Sequence, residues 1–452
     1  MQNKNEFLGT APLGRLLFQL ALPTIAAQLI NMLYNIVDRI YIGHMPEVGD
    51  MALTGVGVCM PLIMVVSAFA ALISTGGAPR ASIYMGQGDN DSAERTMGGC
   101  FHLQLIVSLV LTAILLLGNR YFLMAFGASE NTIHYATSYM NIYALGTIFV
   151  QLTLGMNAYI TAQGFAKIGM MTVLIGAITN IILDPVFIFG LHMGVQGAAL
   201  ATILSQGISC AWVLAFLFGK KTVLRLQRSK MSIRKKLILP SLALGLSPFI
   251  MQVTESLISV CFNSSLLRYG GDVAVGAMTI LTSVMQFAMM PIQGLAQGAQ
   301  PITSYNYGAR NVDRVKKSFR LLLTASLTYS MTIWASIMLF PRFFAGIFTP
   351  DPVLLDFTAG ALRIYCLALG IFGIQMACQM TFVAIGNAMS SILAACMRKL
   401  VLLIPLIFIM PMLLENKTMA VYTAEPVADV LAVAFTATLF AVQFKKALQK
   451  IS

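Results

Sequence analysis

Asn180-Ile181-Ile182-Leu183-Asp184-Pro185-Val186-Phe187-Ile188-Phe189 places one carboxylate inside an otherwise apolar run. Hydrophobic residues continue on either side, over 168–190 and again over 197–219, and each stretch is long enough to cross a bilayer core as a helix. A carboxylate at that depth costs about 2.5–3.5 kcal/mol on insertion scales, so it faces a cavity or a partner rather than lipid. Asn180 and Asp184 are i, i+4 neighbours on one helical face. Pro185 has no N–H, so the Ile181 carbonyl loses its helical partner and can turn toward a ligand. Hard oxygen donors of this kind suit Na+ or a proton.

The rest of the chain repeats this pattern. Of 452 residues, 58% are hydrophobic and 10% charged, with a mean hydropathy of +0.80. Soluble domains carry about 25% charged residues, which excludes a water-soluble globule. Apolar runs broken by polar or Gly/Pro punctuation predict twelve helices near 14–42, 52–83, 95–118, 133–162, 168–190, 197–219, 238–266, 274–304, 317–340, 357–385, 391–412 and 420–443. The first contains Pro23, Asn31, Asn35 and Asp38 and lacks a small-residue cleavage site, so it reads as a membrane helix rather than a removable signal. The seven cysteines are odd in number and contain no CxxC pair, which predicts neither a disulfide framework nor a zinc site.

The net charge of +12 sits in short connections, where it signals topology rather than nucleic acid. The longest basic connection, 220–236, carries Lys220, Lys221, Arg225, Arg228, Lys230, Arg234, Lys235 and Lys236. Counting Lys4, Arg398 and Lys399 with it and with the other clusters of matching parity puts 23 basic residues on the cytoplasmic side and six outside. Both termini are therefore expected in the cytoplasm.

An internal repeat appears at an offset of 222 residues: Gly76 aligns with Gly298, Pro79 with Pro301, Ser82 with Ser304, Gly86 with Gly308 and Asp91 with Asp313. Six helices per repeat keep one orientation, which predicts two pseudo-symmetric lobes around a central cavity. The expected division is a lobe over 1–219, a cytoplasmic linker over 220–236 and a lobe over 237–452. Polar residues fall in stripes that should line that cavity. Gln28, Asn31, Asn35 and Asp38 share one face of the first helix, and Gln252, Glu255, Ser259 and Asn263 one face of the seventh. The eighth carries Gln286, with Met285 and Met289 beside it as soft, adaptable contacts for apolar ligands. Asp38, Asp184 and Glu255 read as the three acids set deep in helices. Arg39 is the one basic residue near any of them in the helix plan, and it points elsewhere. A carboxylate without a fixed counter-ion is what an exchangeable cation or proton requires. The plainer alternative is interhelical hydrogen bonding, worth about 0.6 kcal/mol per bond.

NIILDPVFIF with Gly197-Ala198-Ala199-Leu200-Ala201-Thr202 resembles the helix five and six signature of the multidrug and toxic compound extrusion (MATE) transporters. Asn35-Ile36-Val37-Asp38 with Ile42-Gly43 resembles the matching first-helix motif. Gly298 through Ala309 resembles the end of helix eight, particularly in the MepA-type bacterial branch. The resemblance spans nearly the whole chain. It implies efflux of amphipathic organic cations, as small-molecule partners, in exchange for Na+ or H+, with no other cofactor. Carried over by residue, it places the cation or proton site on Asp38, Asn180, Asp184 and Thr202, these being metal ligands only if Na+ is the coupling ion. Glu255 matches a helix-seven acid that some members use in the other lobe, whereas helix ten, 357–385, lacks the Asp those members carry. The expected setting is a multi-pass monomer in the cell membrane.

No P-loop, GxSxG or HxxxH motif argues for an enzyme. A lipid-linked precursor flippase of the same superfamily should want extra helices and a strongly basic cavity. A channel or receptor is disfavoured by the two-lobe repeat with buried acids.

Overall fold

The computed structural model describes residues 6–452, so Lys4 lies outside it. After a short helix at Glu6–Thr10, the first lobe runs as α1 Leu13–Gly43, α2 Gly49–Gly86 and α3 Asn90–Ala125. It continues with α4, made of Ile133–Leu145 and Thr147–Ala162 bent by 57°, then α5 Ala166–Pro185 and α6 Val195–Phe218. The second lobe starts in one 74-residue helical run, Lys235–Gly308. At about 1.5 Å per residue that run is far too long for one crossing. It breaks at Gly271, whose φ of 65° and ψ of −160° only glycine adopts freely, and so forms α7 before the break and α8 after it. Then follow α9 Val312–Leu339 and α10, which is Pro352–Tyr365 and Leu369–Ala384 bent by 45°. α11 is Ala388–Leu413 and α12 Lys417–Gln449. Among the described residues this makes twelve crossings in two six-helix lobes and no strand, as the hydropathy pattern predicts. The breaks in α4 and α10 were not legible in that pattern. In α4 the break falls at Gly146, where a Cβ would lie 2.2 Å from Ile203 of α6.

Large apolar side chains cover the outside: Leu117 is 90% exposed and Met412 83%, which only lipid makes tolerable. Each lobe has its own core, one around Tyr139, Met140 and Tyr143, the other around Phe262, Tyr365 and Tyr422.

The lobes meet at the end of the bundle that holds the first and last described helices, where the Leu8 carbonyl accepts from Asn306 Nδ2 at the close of α8 and Ala447 packs near Phe382. A Cβ at Gly86 would fall 2.0 Å from the Tyr305 carbonyl oxygen, and one at Gly308 2.0 Å from that of Ile83. Gly86 and Gly308, like Ile83 and Tyr305, are one repeat apart, so the crossing of α2 and α8 is itself pseudo-symmetric. Gly76 against Ser241 and Gly245 against Leu72, where an added Cβ would fall 1.8 Å from the facing carbonyl oxygen in each case, extend the contact. Thr24 donates to the Gly294 carbonyl at 2.6 Å, and Gln28 donates to Gln297 at 3.2 Å. Phe69 and Phe249 meet edge-on at 5.1 Å. Adding bulk at such a crossing costs about 1–3 kcal/mol, which corresponds to a shift of roughly 5- to 150-fold in a two-state balance. Gly308→Leu should accordingly part the lobes here. A cysteine introduced at Ser82, fully buried in this structure, should then react faster with a thiol reagent in detergent. Unchanged labelling would mean the crossing is not a closing contact.

The basic connection does not hang free. Gln163 Oε1 accepts from Thr222 Oγ1 and from the backbone N–H of Val223 and Leu224. Lys230 Nζ reaches Glu94 at 2.6 Å and Asp91 at 2.8 Å, and hydrogen bonds to these carboxylates hold its ammonium above the usual lysine range.

Candidate functional site

The helix expected over 168–190 changes form partway along. Asp184 and Pro185 close the α-helical part, and Val186–Gly190 winds on as one π-helical turn, with the Leu191 N–H bonded to the Val186 carbonyl at 2.8 Å. Such turns widen a helix and often mark functional positions. Asp184 and Asn180 are buried at 0% and 1% exposure, and Asn180 Nδ2 donates to Asp184 Oδ1 at 3.3 Å. The Asp38 carboxyl of α1 sits against that of Asp184, within hydrogen-bonding reach. Three oxygens here, Asp38 Oδ1, Asn180 Oδ1 and Asp184 Oδ2, are buried with no hydrogen-bond partner. Acceptors converging without a donor are costly. A proton or a small hard cation supplies what they lack, so the residues present fit such an ion.

Thr202 lies beside this group rather than in it. Its Oγ1 donates to the Ala198 carbonyl of its own helix at 3.0 Å, and its side chain lies near that of Tyr139. Tyr34 lies within electrostatic reach of both carboxyls, and Tyr139 within that of Asp38. The sequence reading named neither tyrosine. Aromatic residues are so common in membrane helices that only their place in the fold distinguishes them.

Most residues of the polar stripes are exposed. Beyond Gln28, α1 exposes Asn31 on one side and Leu33, Ile36 and Ile40 on another. α7 likewise exposes Gln252, Glu255, Ser259 and Asn263 apart from Val253, Leu257 and Val260. The apolar faces suit lipid and the polar faces a wet cleft between the lobes. Gln286 is exposed, whereas Met285 and Met289 are half-buried against the second lobe's core and so serve packing as well.

The second lobe corrects three expectations. Glu255 does have a fixed counter-ion: Lys399 Nζ lies 2.7 Å from its Oε2, and the lysine side chain is 7% exposed. Arg398 and Lys399 are not loop charges but lie within α11, on the π-helical stretch Met397–Leu403, which lowers the cytoplasmic tally by two. The count of deep acids was also too low. Glu425 and Asp429 of α12, at 5% and 1% exposure, are i, i+4 neighbours inside a segment expected to be a helix. Arg398 bridges them, with Nη2 3.0 Å from Glu425 Oε1 and Nε 2.7 Å from Asp429 Oδ1, and its guanidinium stacks over Phe372 at 4.6 Å. The signal was present as two bases on one predicted helix and two acids on the next, and only their facing was missing.

Comparison with known proteins places this architecture. The family model MatE matches residues 23–186 and 248–409, once in each lobe. Multidrug export protein MepA of Staphylococcus haemolyticus (strain JCSC1435) is 24% identical over 390 residues, covering 86% of this chain and 85% of that protein. MepA of Staphylococcus aureus (strain NCTC 8325 / PS 47) is 21% identical over 400 residues, covering 88% of each. A solved outward-facing conformation of a multidrug resistance MATE family transporter of the MOP superfamily superposes with a TM-score of 0.92 at 23% identity, over 99% of both chains. A MATE structure in the straight conformation superposes with the same score of 0.92 at 24% identity, over 100% of both. With its family model matched over most of its length, a repeat of the same helices in each lobe and a fold shared end to end with solved relatives, the chain belongs to the MatE family of membrane transporters.

Proposed function

We propose that the protein is a secondary active multidrug exporter of the cell membrane, exchanging Na+ or H+ for amphipathic organic cations by alternating access. The lobes would be residues 1–219 and 237–452, joined by the 220–236 linker, in a monomer. The observation that carries the reading is the trio of buried, partnerless oxygens on Asp38, Asn180 and Asp184. Two carboxyls side by side with no base bonded to either repel each other when both are ionised, so the pair takes up a proton or a cation. Loading changes the charge of the first lobe and shifts the lobe equilibrium if the two open forms bind the ion unequally. The polar cleft with adaptable Met285 and Met289 beside it suits ligands of varied shape. Thr202 supports this least, since its hydroxyl is satisfied by its own helix. The names of the staphylococcal relatives point the same way.

The test is efflux of a fluorescent cationic dye from vesicles under a Na+ gradient and a H+ gradient imposed separately. One gradient should drive efflux and be dissipated by it. Dye movement indifferent to both would rule out coupled export.

With the lobes joined at the terminal end, the cleft opens opposite, and the charge partition makes that the outside. Cysteines introduced at Ser229 and Glu47, both exposed, should therefore label from opposite sides of intact cells. Labelling of position 229 from outside would invert the orientation.

A further inference from the structure

The six-helix repeat makes α7 and α11 the counterparts of α1 and α5. In the first lobe that helix pair brings Asp38 to Asp184, beside a π-helical turn at Val186–Gly190. In the second, the same pair brings Glu255 to Lys399, which itself sits on the π-helical stretch Met397–Leu403. One lobe presents two acids to each other, whereas the other presents an acid to a base. We propose that Lys399 is a tethered cation, standing in the second lobe where the first lobe takes an exchangeable one, and that an organic cation binds Glu255 by displacing the lysine ammonium. The inference rests on the export reading above and adds a substrate subsite to it with a built-in competitor.

Exposure sets the direction of exchange. Half of the Glu255 side chain is open, at 53%, while Lys399 is 7% exposed. The carboxylate is thus reachable from the cleft, and the ammonium lies behind it. The displaced ammonium also has a destination. Three carboxylates, Glu255, Glu425 and Asp429, face two bases, Arg398 and Lys399. Glu425 already feels Lys399 electrostatically. When Lys399 swings inward toward Glu425 and Asp429, two acids and two bases balance in the interior, and Glu255 is left with one uncompensated negative charge at the cleft. An organic cation supplies that charge. Tyr365 and Cys366 border the cluster as neutral groups. A neutral ligand gains nothing from the exchange, because it leaves Glu255 unpaired at membrane depth. The subsite therefore selects for positive charge while leaving ligand shape to the softer walls.

The test uses the full-length protein in lipid nanodiscs, with ethidium as the cationic probe and fluorescence anisotropy as the readout. Lys399→Met removes the competitor and should tighten ethidium binding about tenfold, in line with close charge pairs at interfaces. Lys399→Arg keeps a competing cation and should bind as the wild type does. Glu255→Gln should weaken binding by a similar factor, and Lys399→Met should bring no gain when added to Glu255→Gln. Lys399→Gln, which keeps a polar group, serves as a second variant if Lys399→Met is not monodisperse. If the wild type exports ethidium but neither lysine variant binds it more tightly, the tethered-cation assignment is overturned and the export reading stands. If no form of the protein binds or moves ethidium, both fall together.

Discussion

Asp38→Asn and Asp184→Asn each yield a folded protein whose gradient-driven efflux is lost. The cause lies in the donor deficit of the first lobe. Asp38 Oδ1, Asn180 Oδ1 and Asp184 Oδ2 have no donor among the described residues. An asparagine at position 184 brings an amide N–H into reach of Asp38, and one at position 38 does the same for Asp184. Either change supplies permanently what the transported ion supplies transiently, and it removes one of the two repelling charges. The lobe then no longer distinguishes loaded from empty. The coupling between ion and drug, typically about 5- to 150-fold in equilibrium terms, disappears. Dye binding at the cleft and slow downhill equilibration should persist, since neither touches these oxygens. Asn180→Ala and Thr202→Ala should weaken coupling less, because each removes a neutral oxygen, and Thr202 least, because its hydroxyl is already bonded to Ala198. The measurement is dye efflux together with ion or proton counter-movement in vesicles. Full coupled transport by either aspartate variant would defeat the site.

The largest expected loss of stability comes from Arg398→Met. The guanidinium bridges Glu425 and Asp429, whose side chains are 6% and 2% exposed, by bonds of 3.0 and 2.7 Å. Removing it leaves two neighbouring carboxylates buried without a partner other than Lys399. Breaking a buried pair in this way costs about 3–5 kcal/mol, chiefly as the penalty of the uncompensated charge. Arg398→Lys should recover little, since an ammonium cannot span both acids as the planar fork does, nor stack on Phe372 as well. The triple variant Arg398→Met, Glu425→Gln, Asp429→Asn should regain most of the loss, because no buried charge is then left unpaired. Thermal midpoints in detergent measure all three. A single variant as stable as the wild type, or a triple variant no better than the single, would show that the cluster does not act as one unit.

What the sequence determined by itself is local or periodic. A run of about 20 apolar residues dictates a crossing wherever it falls, because unpaired backbone groups cannot be left in lipid. The 222-residue repeat shows in polar, Gly and Pro columns and makes Gly86 and Gly308 equivalents, while the crossing of α2 and α8 at these glycines, where small residues are the condition for backbone contact, is a tertiary finding. Asp38 and Asp184 stood out because a carboxylate is rare and costly inside an apolar run. Tertiary structure alone decided which charges meet. Glu255 and Lys399 are separated by 144 residues and Arg398 and Asp429 by 31, and nothing along the chain records which helix faces turn toward each other. The π-helical stretch at Met397–Leu403 adds to this, since it shifts the phase of α11 away from 3.6 residues per turn, so a helical projection does not give the faces of Arg398 and Lys399. Read along the sequence they are two bases inside an expected helix, counted with the cytoplasmic charges, and only the packing of α11 against α7 and α12 makes them the counter-ions of half-open Glu255 and of buried Glu425 and Asp429.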